Sequence, residues 1–352
     1  MVTGQETDGI RVADARLKPD EAEFDQTLRP KTFAEYVGQD KIKQSLAIAI
    51  QAAKLRKEPL DHILLFGPPG LGKTTLAHII AGEMGGSLRV TSGSAIERPG
   101  DLASIVTNLS DGDILFIDEI HRLGRQVEEV LYSAMEDYAI DIIIGKGPAA
   151  RSLRIDVAKF TLIGATTRAG ALSSPLRDRF GSTYRLDFYS EPDIEVILQR
   201  SAKILNVDLA PAHAKIIAQA SRRTPRTANR ILKRVRDFAQ AKNTGQITPQ
   251  IIQEALSLMT IDADGLDFVD RKILECLIER FHGGPAGVAA IAAAIAEERQ
   301  TIEEVYEPYL LQSGFLNRTA QGRVVTSKAY QHLGLLAPTA PQRENLPIFD
   351  AK

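Results

Sequence analysis

The octapeptide Gly67-Pro68-Pro69-Gly70-Leu71-Gly72-Lys73-Thr74 constrains this chain more than any other stretch. It follows the apolar run His62 to Phe66 and precedes Thr75-Leu76-Ala77-His78-Ile79-Ile80-Ala81, so the pattern predicts strand, glycine-rich loop, helix. Such a loop turns its N–H groups inward around a polyphosphate, and the following helix N-terminus adds partial positive charge at the same place. Lys73 then reaches the β and γ phosphates, and the Thr74 hydroxyl ligates Mg²⁺. A chance match would need neither the strand before nor the helix after. The reading is therefore a nucleoside triphosphate site.

A chain of 352 residues exceeds one compact core and implies two or three domains. The formal charge of −2 announces no general nucleic-acid binder, so any DNA contact must be local. The single cysteine, Cys276, excludes an intramolecular disulfide framework and a thiol metal cluster, and its apolar neighbours make it a buried structural thiol. Without a membrane-length apolar run or a hydrophobic signal core, a cytosolic protein with no membrane partner is expected.

Residues 1–24, charged and poor in large apolar side chains, read as a disordered leader. Order is expected from about Leu28-Arg29-Pro30, with a helix carrying Ile42, Leu46, Ala49, Ile50 and Ala53 leading into the first strand. Further strands are expected at Leu88 to Thr91, Ile114 to Ile117, Phe160 to Ala165 and Thr183 to Phe188, alternating with helices. That alternation predicts an α/β domain over 25–190, a parallel sheet with helices on both faces.

Asp118-Glu119 ends an all-apolar strand. A buried parallel strand delivers its last residues to the edge where ligands collect. Asp118 is placed to hold Mg²⁺ and Glu119 to orient the attacking water, a task that in phosphoryl transfer is mostly positioning. The next helix shows a core stripe through Val127, Leu131 and Tyr138. An apolar β-hairpin over about 139–157, with Ile142, Ile143 and Ile144 on its first strand and a turn at Gly145 to Pro148, follows. Packing on the parent domain and docking of a partner are equally compatible with it. Thr166 and Thr167 reach the sheet edge of Glu119, where they could sense a γ-phosphate. Arg177 and Arg179 suit stabilising charge on a phosphate bound by a neighbouring subunit, or pair with Asp178.

From Glu191 the strands stop, and four helices over 191–262 make a small all-α domain. Thr224-Pro225-Arg226 reads as N-cap, first position and first turn. A cation there opposes the helix dipole, so Arg226 is better satisfied facing an anion. Residues 263–337 read as three helices and a short hairpin, the layout of a winged helix; Thr301-Ile302-Glu303-Glu304 is expected to cap the third helix, and Arg318 and Arg323 flank the wing's turn. They could touch phosphates without reading sequence, or be mere surface charge. The Pro-rich tail, 338–352, is expected to be disordered.

From about Leu28 to Gly334 the motifs GPPGLGKTTLA, LFIDEIHRL, GATTRAG, PLRDRFG, TPRTANR and GFLNRTAQGR stand in the order of the RuvB family, which the chain resembles. RuvB proteins are AAA+ motors of bacterial Holliday-junction branch migration. The resemblance implies an ATP hydrolase that binds ATP or ADP with Mg²⁺. Leu28, Arg29 and Tyr189 would lie on the adenine side, Gly70, Lys73, Thr74 and Thr75 at the phosphates, and Glu136, Asp137 and Tyr138 near the nucleotide. Thr167 would be the first sensor, Arg179 an arginine finger acting across a subunit interface, and Arg226 the second sensor. The hairpin would dock RuvA, and Arg318 and Arg323 would contact duplex DNA. A homohexameric ring is implied, with RuvC a further candidate partner. Two rivals are a clamp-loader-like switch, which lacks a winged helix and often carries zinc-binding cysteines, and a winged-helix regulator using ATP only for assembly, which needs neither Glu119 nor Arg179.

Overall fold

The computed structural model describes residues 19–144, 151–242 and 245–337. The expected leader up to residue 18, the hairpin's turn and the tail from 338 lie outside the described residues. The chain divides after Asp267 into two compact units.

In the first unit α1 (Pro19–Leu28) and α2 (Asp40–Arg56) precede β1 (Ile63–Phe66) and α3 (Lys73–Met84). Next come β2 (Leu88–Ser92), α4 (Pro99–Thr107), β3 (Ile114–Asp118), α5 (Arg125–Glu136), β4 (Ala139–Ile144) and β5 (Arg151–Asp156). Then follow β6 (Thr161–Thr166), α6 (Ser174–Asp178) and β7 (Ser182–Arg185). Five strands form a parallel sheet in the order β2-β3-β6-β1-β7. β1 lies between β6 and β7, with Phe66 opposite Thr166 and Arg185. Strand side chains alternate between two cores: Ile63 and Leu65 join one and Leu64 the other, as do Ile114 and Phe116 against Leu115 and Ile117. Both faces of the sheet are therefore covered, which is why its strands read as unbroken apolar runs.

The helices expected after Glu191 are α7 (Glu191–Ile204), α8 (Pro211–Gln219), α9 (Pro225–Ala241) and α10 (Pro249–Leu258). Their apolar residues, among them Leu198, Ile217, Ile231 and Ile252, belong to the same core as Ile63, Leu76 and Ile80. Thr224 caps α9, its hydroxyl accepting the Thr227 N–H at 3.4 Å, and Pro225 takes the first position.

One expectation for this unit is corrected. Part of the leader is ordered, because α1 begins at Pro19. Tertiary contacts supply what the local composition lacks: the Lys233 ammonium lies 4.6 Å from the centre of the Phe24 ring, Leu28 is buried, and Arg200 Nη1 donates to the Leu28 carbonyl at 2.7 Å.

The second unit holds α11 (Phe268–Phe281), α12 (Val288–Ile295), α13 (Arg299–Thr301), a π-turn over Ile302–Tyr306, and α14 (Glu307–Gln312). The hairpin β8 (Leu316–Thr319) and β9 (Gly322–Val325) and the short α15 (Ser327–His332) close it. Ala286 bridges Arg323 on the edge of β9 away from β8. Buried Leu274, Leu277, Tyr306, Leu310 and Phe315 fill its interior. Thr301 is not the expected cap: its φ of −60° and ψ of −42° are helical and its side chain makes no capping bond. The helical run starts earlier, after Glu298, and widens where Pro308 has no N–H to return to the preceding turn.

Candidate active site

At Gly67, with φ of +144°, a Cβ would meet the Leu186 carbonyl oxygen, and at Gly70, with φ of +80°, it would lie 3.2 Å from the Arg226 Cβ, so the phosphate loop passes where only glycine fits. Two buried tyrosines anchor its crest. The Tyr189 hydroxyl donates toward the Leu71 carbonyl at 3.2 Å and toward Tyr36 Oη at 3.1 Å, while Tyr36 Oη lies 3.4 Å from the same carbonyl. Burial pushes the Tyr36 phenol up to about 12 and raises Tyr189 as well, so both remain neutral donors. Sequence reasoning missed Tyr36; its only signal, an aromatic before a helix, equally describes a core residue.

Lys73 starts α3 and is buried, its ammonium folded back to donate to the Gly67 carbonyl at 2.8 Å and the Pro68 carbonyl at 2.9 Å. Burial lowers its pKa from 10.5 to about 8, opposed by the charges of Asp118 and Glu119 and reinforced by Arg226. Asp118, Glu119 and Arg226 therefore all lie close enough to act on the Lys73 charge. Thr74 and Thr75 follow Lys73 at the start of α3, both half-buried.

Asp118 ends β3, and its Oδ1 accepts the Glu119 N–H at 2.9 Å. Glu119 takes the left-handed region at φ of 48°, and its carboxylate pairs with Arg122 at 3.1 Å. Thr166, at the end of β6, is buried, with Oγ1 2.9 Å from His121 Nδ1 and accepting the Arg168 N–H at 2.9 Å. Thr167 follows directly, placed by that strand beyond the edge it shares with β1 and β3.

The helical part meets the loop at Gly70. The Arg226 N–H donates to the Gly70 carbonyl at 3.4 Å, so the start of α9 sits on the phosphate loop. The Arg226 guanidinium lies 3.9 Å from the Asp25 carboxylate on α1. Burial lowers the pKa of Arg29, Asp25 opposing and Arg226 adding to the shift, which places all three charges in one cluster beside buried Leu28. The sequence held no sign of Asp25.

A second group of expected residues gathers elsewhere on this unit. Arg179, directly after α6, donates from Nη1 to the Pro175 carbonyl at 2.8 Å and from Nη2 to Glu136 at 2.9 Å, and its guanidinium carbon lies 4.5 Å from the centre of the Tyr132 ring. Asp137 pairs with Arg154 of β5 at 3.2 Å, and Tyr138 stacks edge-on against Phe160. These bonds join Glu136, Asp137 and Arg179 to one another's neighbourhood and not to the loop at Lys73. Arg179 pairs with Glu136, not with the adjacent Asp178. His62 ties the two regions together through β1: Nδ1 accepts the Leu162 N–H at 2.9 Å, which leaves Nε2–H to donate to the Met135 carbonyl at 3.1 Å.

In the hairpin, Ile142, Ile143 and Ile144 lie opposite Leu153, Ser152 and Arg151. Its root packs into the core through Ala139 and Ile140, whereas Leu153 is exposed. In the second unit the two wing arginines face each other across β8 and β9 but differ in environment. Arg318 is exposed. Arg323 is buried in a bidentate pair with buried Glu307, from Nε at 3.2 Å and Nη2 at 2.7 Å, and lies 3.7 Å from Glu303.

A glycine loop on a parallel sheet, an acidic pair ending β3 with β6 between it and the loop's own strand, a helical lid seated on the loop and a separate winged-helix unit define an AAA+ ATPase with a winged-helix unit. Comparison with known families agrees: residues 28–186 match the P-loop domain of the Holliday junction DNA helicase RuvB, 189–262 the RuvB AAA lid domain, and 263–334 the RuvB C-terminal winged helix domain. The solved structure of the Thermotoga maritima RuvB Holliday junction branch migration motor is 50% identical, with a TM-score of 0.82 over 89% of this chain and 100% of that one. A mutant of the same Thermotoga maritima protein is 51% identical, with a TM-score of 0.83 over 88% of this chain and 99% of that one. The chain belongs to the RuvB family of Holliday junction DNA helicases.

Proposed function

We propose that this chain is the ATP-driven motor of branch migration, working as a homohexameric ring on duplex DNA flanking a junction held by RuvA. The observation that carries the nucleotide chemistry is the buried Lys73 ammonium held on the Gly67 and Pro68 carbonyls of the glycine loop, with the Arg226 N–H on the Gly70 carbonyl of the same loop. Lys73 would exchange its two carbonyl acceptors for the β and γ phosphates. Thr74 and Asp118 form an oxygen donor set that fits Mg²⁺, a hard cation suited to bridging phosphate oxygens and neutralising their charge. Glu119, once released from Arg122, would orient the attacking water. Thr167 and Arg226 would report the γ-phosphate, and Leu28, Arg29 and Tyr189 would border the base.

Glu136, Asp137, Tyr138 and Arg179 are read as facing the nucleotide of the next subunit. Their bonding apart from the loop at Lys73 supports this division. The hairpin at Ile142, Ile143 and Ile144 is the proposed RuvA surface, supported by exposed Leu153 opposite Ile142, and RuvC is a further candidate partner. Exposed Arg318 is the proposed direct phosphate contact of the wing, and Arg323 is proposed to support that contact from its pair with Glu307. Among the described residues no helix is long and apolar enough to cross a membrane, and a motor on chromosomal DNA belongs in the cytoplasm.

The test is Glu119→Gln with a synthetic four-way junction and RuvA. ATP binding should persist while hydrolysis and junction dissociation are lost; dissociation at the wild-type rate would remove Glu119 from its role. A wild-type chain that hydrolyses ATP yet never moves the junction would favour the clamp-loader-like switch.

A further inference from the structure

The surroundings of Arg179 carry an inference that rests on reading it as the finger and concerns what holds it. Two of the guanidinium's donors are bound, to the Pro175 carbonyl and to Glu136, and its face lies on the Tyr132 ring. These partners differ in kind. Glu136 is an exposed carboxylate, 57% accessible, so its pair with Arg179 is solvent-screened and a phosphate can displace it. The ring attracts the cation through its π face and uses none of the N–H donors, so it need not be released when a phosphate arrives.

The ring is itself fixed. The Tyr132 hydroxyl donates to Glu128 Oε2 at 2.7 Å and lies 3.0 Å from Ser173 Oγ, which donates to the same Oε2 at 2.7 Å. Ser173 also caps α6, accepting the Leu176 N–H at 3.3 Å, and Arg179 directly follows that helix. Glu128, the hub of these bonds, is buried. One small network therefore sets both the ring under the guanidinium and the start of the helix that presents it.

We propose that Tyr132 is a positioning residue for the arginine finger: its ring holds the guanidinium plane while Glu136 is exchanged for the γ-phosphate of a neighbouring subunit, and Glu128 and Ser173 hold the ring. An arginine left to order its own side chain at the moment of reaction pays that entropy in the transition state, so the effect falls on kcat rather than KM.

The experiment replaces Tyr132 in the full-length protein on duplex DNA with Phe, then with phenylalanines bearing one, two and three ring fluorines, which keep the shape but progressively weaken the π face. Tyr132→Phe frees the ring from Glu128 and Ser173 but leaves its π face, and should lower kcat only about twofold. ATPase kcat should fall stepwise with fluorine number, to about a tenth at three, with KM nearly constant. Tyr132→Leu should show a similar loss; if it fails to fold, the near-isosteric fluorine series still decides. A flat series alongside an inactive Arg179→Ala protein overturns the platform while leaving the finger in place. Turnover by Arg179→Ala at the wild-type rate overturns the finger reading itself. A large loss already at Tyr132→Phe, with no further trend, assigns the effect to the hydroxyl network and also overturns the platform.

Discussion

Arg179 directly follows a short helix, Arg323 lies in a short strand and both pair with a glutamate, yet they have been given opposite surroundings. Arg179 meets one exposed carboxylate, a carbonyl and a ring face. Arg323 is enclosed by Glu307 in a bidentate pair, with Glu303 close by. The first cation keeps capacity for an incoming anion, whereas the second already has its anion inside the fold. Lys73 belongs with Arg179, because its ammonium donates to the Gly67 and Pro68 carbonyls, which a phosphate readily replaces. An arginine in a motif is thus a functional candidate only after its partners are counted.

The contrast can be broken most forcefully at Arg179. Arg179→Ala should lower ATPase kcat by about 10³-fold or more with little change in Tm, and mixing it with Lys73→Ala subunits should restore hydrolysis at some interfaces. If confirmed mixed rings show no recovery, the site is not shared between subunits. Arg323→Ala should do the reverse, destabilising the winged-helix unit by about 3–5 kcal/mol because Glu307 is left buried without its cation. Denaturant unfolding reads this directly, and an unchanged midpoint would mean that Arg323 is free to serve DNA.

Arg318→Ala should leave the unfolding midpoint within about 0.5 kcal/mol of wild type and reduce the salt slope of DNA binding by about one. A smaller slope change would make Arg318 ordinary surface charge. The mildest test concerns Lys73. With a pKa near 8 it is about half protonated at pH 8 in the free protein, and phosphate oxygens favour the charged form. Nucleotide binding should therefore take up about half a proton at pH 8 and about a tenth at pH 7, measured calorimetrically in buffers of different ionisation enthalpy. For stability the sign is the same: a lysine whose folded pKa is lowered penalises the charged native state below about pH 8, and that penalty fades as pH rises towards its ordinary value of 10.5. Equal proton uptake at both pH values would place the shift on another group.

Much of this was legible in the chain. The strands, the loop from Gly67 to Thr74 and the acidic pair follow from periodicity and local backbone chemistry, and so does the Thr224-Pro225-Arg226 helix start. The misses share a cause. Residues 19–24 lack the composition of a stable segment, but Phe24 meets Lys233 and Arg236 from a helix some two hundred positions away. Thr301 had the letters of a cap, but the helix had already begun. Tyr36 and Asp25 matter through what they touch, Leu71 and Arg226, and neither contact is local.

The sequence by itself determined that a triphosphate loop opens a parallel α/β sheet, that Asp118 and Glu119 stand at a buried strand's end, and that helices and then a wing follow; that β6 inserts between that strand and the loop's own was decided by the fold. Each of these depends on residues close together in the chain, where period, glycine and capping chemistry act directly. Only the tertiary structure decided which charged side chains are already neutralised and which still await an anion. That choice is made by partners brought together across the fold, Glu307 for Arg323, Tyr132 and Glu136 for Arg179, Asp25 for Arg226, and no local pattern specifies it.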